Sequence, residues 1–157
     1  MRKIAIVLAA SAAVVATPAL AQTATGTVEV SLNVSSACSV TAEPLSFGSV
    51  TALDAAIDAS SPTTVKCTPN ANYTVNVGYG SNAGAGTVRK LKSSAGDEVS
   101  YALYTDATRT TEWTPTSGRT GVGNGSDQSM TIYGRVPSQA AVPAGNYTDS
   151  VVVTVTY

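Results

Sequence analysis

The chain has 157 residues, nearly balanced charge with 9 basic against 10 acidic side chains, no histidine and two cysteines. The missing histidine removes the usual general base, the Ser-His-Asp triad and His-based zinc sites. The absence of a basic excess argues against a nucleic-acid partner, and the length fits one domain.

Met1-Arg2-Lys3 is a short basic region, followed by an apolar run from Ile4 to Val15. Thr17-Pro18 breaks the run, and Ala19-Leu20-Ala21 places a small-x-small pattern ahead of Gln22. These features predict a signal peptide over residues 1–21, cleaved between Ala21 and Gln22; the run is too short to span a bilayer. No other segment predicts membrane insertion. Without Arg2 and Lys3 the mature chain carries seven basic and ten acidic residues, a net charge of −3.

Residues 26–34 alternate strictly, with Val28, Val30, Leu32 and Val34 on one face and Thr27, Glu29, Ser31 and Asn33 on the other. Period two predicts a strand with one buried face. It is either the first strand of its own domain or a strand given to another molecule. The same phase runs on through Ser36, Cys38 and Val40, so any hinge is short. Cys38 and Cys67 in an exported chain predict a disulfide, the alternative being two buried thiols; their spacing fits neither a redox Cys-x-x-Cys nor a zinc knuckle.

From Cys38 onward the chain offers short Val-, Thr- and Tyr-rich runs separated by turn residues, predicting an all-β antiparallel sandwich of immunoglobulin type. The expected pieces are Leu45–Gly48, Thr63–Thr68, Tyr73–Tyr79, Thr87–Leu91, Val99–Tyr104, Met130–Val136 and the terminal run through Val151, Val153, Val155 and Tyr157. Arg89, Lys90 and Lys92 read as solvated charges protecting an edge strand. Residues 106–127, poor in apolar side chains and rich in glycine, read as a long surface excursion. About six substantial strands are expected where such a sandwich needs seven. A spare strand at the other end of the chain fits an open groove with a donor arm.

Competing readings are weaker. Asp54 and Asp58 could form a carboxylate pair, but their Ala-rich setting suggests solvated turns. Residues 124–127 lack the further carboxylates of a calcium loop, and no cofactor or metal site is expected. A self-complete secreted coat or carbohydrate-binding β-sandwich module would use Trp113, Tyr101 and Tyr104 as an aromatic face.

In this order, the alternating arm leading into Ser36–Val40, Leu45-Ser46-Phe47-Gly48, Val65–Thr68 with Tyr73-Thr74-Val75, Arg89-Lys90-Leu91, Tyr101–Tyr104, Tyr133–Pro137 and Pro143–Asp149 resemble the spore coat protein U domain family. In particular they resemble the major subunits of archaic (Csu-type) chaperone–usher pili. The resemblance covers essentially the whole mature chain and departs from the family pattern around the Gly/Ser-rich residues 117–129. It implies a pilin with an incomplete immunoglobulin-like fold, divided into a donor arm at 22–34 and a sandwich at 35–157. It also implies export through the periplasm to a surface fimbrium, with adhesion and biofilm roles. The implied partners are identical subunits, a periplasmic chaperone and an outer-membrane usher. By the same resemblance Val28, Val30, Leu32 and Val34 are donor residues. Val151, Val153, Val155 and Tyr157 would line an edge of the acceptor groove, and Cys38 and Cys67 match the family's disulfide.

Overall fold

The structure, a computed structural model, describes residues 20–157. All but the end of the expected signal peptide therefore lies outside the described residues. The chain divides into two units, Met1–Asn33 and Val34–Tyr157. In the described part of the first unit no residue is in a helix or strand, and Val28, Val30 and Leu32 are 82%, 89% and 88% exposed.

The second unit is all antiparallel β. Its strands are β1 (Cys38–Ala42), β2 (Ile57–Cys67), β3 (Asn72–Val77), β4 (Arg89–Lys92), β5 (Glu98–Tyr104), β6 (Arg119–Val122), β7 (Gln128–Val136) and β8 (Val153–Thr156). They form a five-stranded sheet in the order β1-β2-β7-β5-β4 and a three-stranded sheet in the order β6-β3-β8. Period-two alternation points Tyr73, Val75 and Val77 of β3 inward, with Val99, Tyr101 and Leu103 of β5 and Met130, Ile132 and Val136 of β7. Together they close the core.

Taken across the sheet, β1, β2, β7 and β5 occupy the A, B, E and D places of an immunoglobulin sandwich, and β3 and β8 the C and F places of the other sheet. The G place, beside β8, holds no strand among the described residues. The fold is therefore an immunoglobulin-like antiparallel sandwich with one place vacant.

Four expectations are corrected. β2 begins at Ile57, not Thr63, and runs through Pro62 although it lies between β1 and β7. The Pro62 carbonyl accepts the Glu43 N–H at 3.2 Å, so the missing N–H points to the β1 side, past the last β1 residue, and costs no ladder bond. Leu45–Gly48 is not a strand, but Leu45 and Phe47 do turn inward together, over Gly134. A Cβ at Gly134 would stand 2.9 Å from the Phe47 ring.

Part of the expected surface excursion is structural. Trp113 is fully buried, its Nε1–H donating to the Val75 carbonyl at 2.8 Å, and residues 119–122 are β6. Arg89 is not a solvated edge charge either. Its side chain is wholly buried and donates to the carbonyls of Gly78 at 2.8 Å, Val77 at 3.0 Å and Trp113 at 2.5 Å. Lys90 and Lys92 do stay near solvent, both paired with Glu98.

Candidate functional site: an open sheet edge and its cleft

The vacancy beside β8 can be described from hydrogen-bond parity. The Gly78 N–H donates to the Val152 carbonyl at 2.9 Å, so with the β3–β8 register residues 152, 154 and 156 turn their backbone groups toward β3. Val151, Val153 and Val155 therefore present theirs to the vacant side. Their side chains are half-buried and pack against the core. Tyr157 lies beyond the last paired residue, is 60% exposed, and lines a shallow cleft with Asn72, Thr74 and Val122.

The facing wall is β1. The Thr68 N–H donates to the Ala37 carbonyl at 2.9 Å, and the Glu43–Pro62 bond keeps the same parity. Cys38, Val40 and Ala42 are thus the residues with backbone groups turned outward. β1 and β8 approach one another, yet no ladder joins them. The Cys38–Cys67 disulfide is present, across a directly opposed pair with Cα atoms 4.1 Å apart. It ties the start of this wall to β2.

β1 starts and β8 finishes at the same end of the sandwich, because Cys38 pairs with Cys67 while Thr156 pairs with Thr74. Toward the opposite end the space between the sheets opens into a cleft of about 970 Å³. Ile57, Leu91, Val99 and Val136 are among its apolar lining, with residues 45–53 and 141–149 also lining it. Asp149 orders this end. It accepts the Tyr101 hydroxyl at 2.7 Å and the Asn82 and Ser150 N–H groups at 3.2 and 2.8 Å. Its carboxylate occupies the space a Cβ would need at Gly80, where φ is +85°. Burial first, then the Asp149 carboxylate, push the Tyr101 phenol above its ordinary pKa and keep it a donor.

The β1 and β8 edges, with backbone donors and acceptors turned outward, and the cleft beyond them together make up the candidate trough. It offers no constellation of reactive groups. Among the described residues no three His, Cys, Asp or Glu side chains cluster as a metal site. Asp58 is not half of a carboxylate pair, since Arg135 grips it through two hydrogen bonds of 2.7 and 2.8 Å. The Asn124 side-chain oxygen caps the Ser126 N–H at 2.9 Å. The aromatic face of a sugar-binding module is not formed: Trp113 is 0% and Tyr101 6% exposed, and only Tyr104 is partly open.

Sequence reasoning missed Arg89 and Asp149. Asp149 stood inside the stretch 143–149 that carried part of the resemblance, and Arg89 was masked by its basic neighbours. No helix among the described residues is long and apolar enough to cross a membrane.

A crystal structure of the CsuC–CsuE chaperone–tip adhesion subunit pre-assembly complex from archaic chaperone–usher Csu pili of Acinetobacter baumannii contains a chain that superposes with a TM-score of 0.59. Identity is 22%, covering 78% of this chain and 40% of that one, so the likeness is one of fold. Protein U of Myxococcus xanthus is 35% identical over 98% of this chain and 96% of its own length. The model of the Spore Coat Protein U domain matches residues 24–154. The chain belongs to the Spore Coat Protein U domain family.

Proposed function

We propose that the protein is the subunit of a surface pilus, polymerising head-to-tail when the arm at 22–34 enters the vacant G place of a neighbour. The observation that carries this reading is the pairing of surplus with deficit. The sandwich lacks the strand beside β8, and the arm is an alternating segment whose Val28, Val30 and Leu32 are exposed with no partner. An added strand would satisfy the outward backbone groups of Val151, Val153 and Val155. It would also bury its own apolar face between the sheets. Burying Val28, Val30, Leu32 and Val34 contributes roughly 6–12 kcal/mol gross.

Arm and trough are different surfaces, so the contact is heterologous and, without closure, builds a filament. The small residues Ala24 and Gly26 continue the apolar phase. Until a neighbour arrives, the trough needs a temporary occupant. A periplasmic chaperone supplying a strand, and an outer-membrane usher directing its exchange, would meet that need. The fold likeness to a chain of a chaperone–subunit complex supports this part. Adhesion and biofilm formation would follow from display on the cell surface. The burial of Trp113 and Tyr101 weighs against a self-complete carbohydrate-binding module.

Purified mature protein run unboiled on a denaturing gel tests the reading. The expected result is a ladder that collapses on boiling, is absent when residues 22–34 are deleted, and is at least tenfold weaker for Leu32→Asp. A deleted chain that still ladders, or that cannot capture a synthetic peptide of residues 24–34, overturns it.

A further inference from the structure

An arm tethered next to a vacant strand edge meets its own edge at the effective concentration set by a short linker, in the millimolar range. Self-pairing therefore competes with any neighbour unless something prevents it. The linker is Ser35-Ser36-Ala37, and what it can do follows from register.

The β1 residues with outward backbone groups are Cys38, Val40 and Ala42; the side chains of Cys38 and Val40 pack against the core, and Ala42 is exposed. A strand folded back along β1 must place its apolar face opposite these even-numbered residues, or a one-residue slip turns that face outward. The arm's apolar residues are also even-numbered, so the connecting loop must hold an odd number of residues. Opposing Val34 to Cys38 leaves the three-residue loop 35–37; opposing Leu32 to Cys38 leaves the five-residue loop 33–37. Two- or four-residue loops invert the arm.

The three-residue hairpin loop needs its last residue in the left-handed conformation, a place for glycine. That residue here is Ala37. It is not among the described residues with positive φ, which are Asn70 and Arg109 apart from glycines. Its N–H donates to Thr68 Oγ1 at 3.2 Å and its carbonyl accepts the Thr68 N–H at 2.9 Å. Two hydrogen bonds thus hold Ala37 against the β2 side in a conformation other than the left-handed one the loop needs. In the five-residue alternative Ala37 is still fixed, and Val34 is lost from the buried row.

We propose that Ser35-Ser36-Ala37 is a hinge built against self-pairing, which selects a neighbour's trough over the molecule's own. The inference rests on the donor-strand reading above. A strand arriving from another molecule carries no turn and is free of the constraint.

The test is a full-length chain carrying Ser35→Pro, Ser36→Asp and Ala37→Gly, a sequence suited to a type I turn closed by a left-handed glycine. Wild type is expected to ladder. The triple variant is expected to run as a heat-stable monomer, with at least tenfold less ladder and no capture of the 24–34 peptide. One further residue inserted after Gly makes the loop even, turns the apolar face out and restores the ladder. A triple variant that ladders like wild type overturns the proposal. Should the triple variant fail to fold, Ala37→Gly alone is read the same way: a larger monomer share supports the proposal and an unchanged ladder overturns it. A wild type that neither ladders nor takes up the peptide is a different result, because it removes the donor-strand reading itself.

Discussion

Arg89 shows what one residue decides in a small sandwich. It is buried with three backbone carbonyls as acceptors and the half-exposed Glu112 carboxylate 3.1 Å from Nη1. The Tyr79 ring lies 5.4 Å from its Cζ. Desolvation lowers its pKa, the Glu112 charge opposing, but a guanidinium stays protonated. Arg89→Met strands the carbonyls of Val77, Gly78 and Trp113 and is expected to cost about 3–5 kcal/mol in urea unfolding. Arg89→Lys should recover less than half, since one ammonium cannot reproduce the planar fork. Asp58 makes the opposite kind of pair, at the surface. The Arg135 hydrogen bond holds its carboxyl below the ordinary value; partial desolvation opposes this, and the Arg109 and Arg135 charges add to it. A lowered folded-state pKa gives stability that is present above the unfolded value of 3.8 and is lost as pH falls through the lowered one. The Tm gap between wild type and Asp58→Asn should therefore be open at about pH 6, narrow as pH falls below 3.8 and close once pH lies below the lowered folded-state value. With the side chain 39% exposed, solvent screening limits the gap to about 1 kcal/mol or less.

At the scale of elements, legibility followed the clarity of the period. β3, β5 and β7 alternate cleanly and were readable within a residue or two. The first half of β2 was hidden by Ala59, Ser60, Ser61 and Pro62, which carry turn composition; only the end of β1 explains why proline is harmless there. β6 was hidden for a different reason. Its surroundings hold glycines because the backbone passes close to other atoms, so composition resembled a loop. Gly121 lies against the Tyr73 ring, and a Cβ at Gly123 would meet the Thr68 carbonyl and stand 2.7 Å from the Cys67 Cβ. Gly123 is also hydrogen-bonded at both backbone groups, its N–H donating to Ala71 and its carbonyl accepting from Asn70. Gly123→Ala should cost about 1–3 kcal/mol by overpacking. Hydrogen exchange should locate the loss at residues 119–125 while β5 and β7 stay protected. The candidate site divides similarly: β8 was plain in its alternating valines, whereas the wall at 45–53 has no regular period to read.

For the whole molecule, the vacancy and the disulfide belong together. In a sandwich short of one strand, β1 is a wall whose ladder pairing is with β2 alone among the described residues. The Cys38–Cys67 bond, with a sequence separation of 29, is expected to contribute about 3.6 kcal/mol on the loop-entropy account. Reduction should lower Tm correspondingly, and the loss should be larger for the chain without a strand in its trough than for one that has captured the 24–34 peptide.

The position of that bond has a mechanical meaning as well. In the proposed filament under tension, the pull on a subunit's arm would enter that subunit's own domain through residues 34–37 and arrive first at Cys38. Without the bond, β1 would peel from β2 one backbone pair at a time, beginning at its loaded end. With it, force passes directly from Cys38 to Cys67 and into a strand flanked on both sides in the five-stranded sheet. Single-molecule pulling on tandem subunits should show the reduced filament yielding at lower force, through early release of β1. The oxidised filament should hold until whole domains or joints give way.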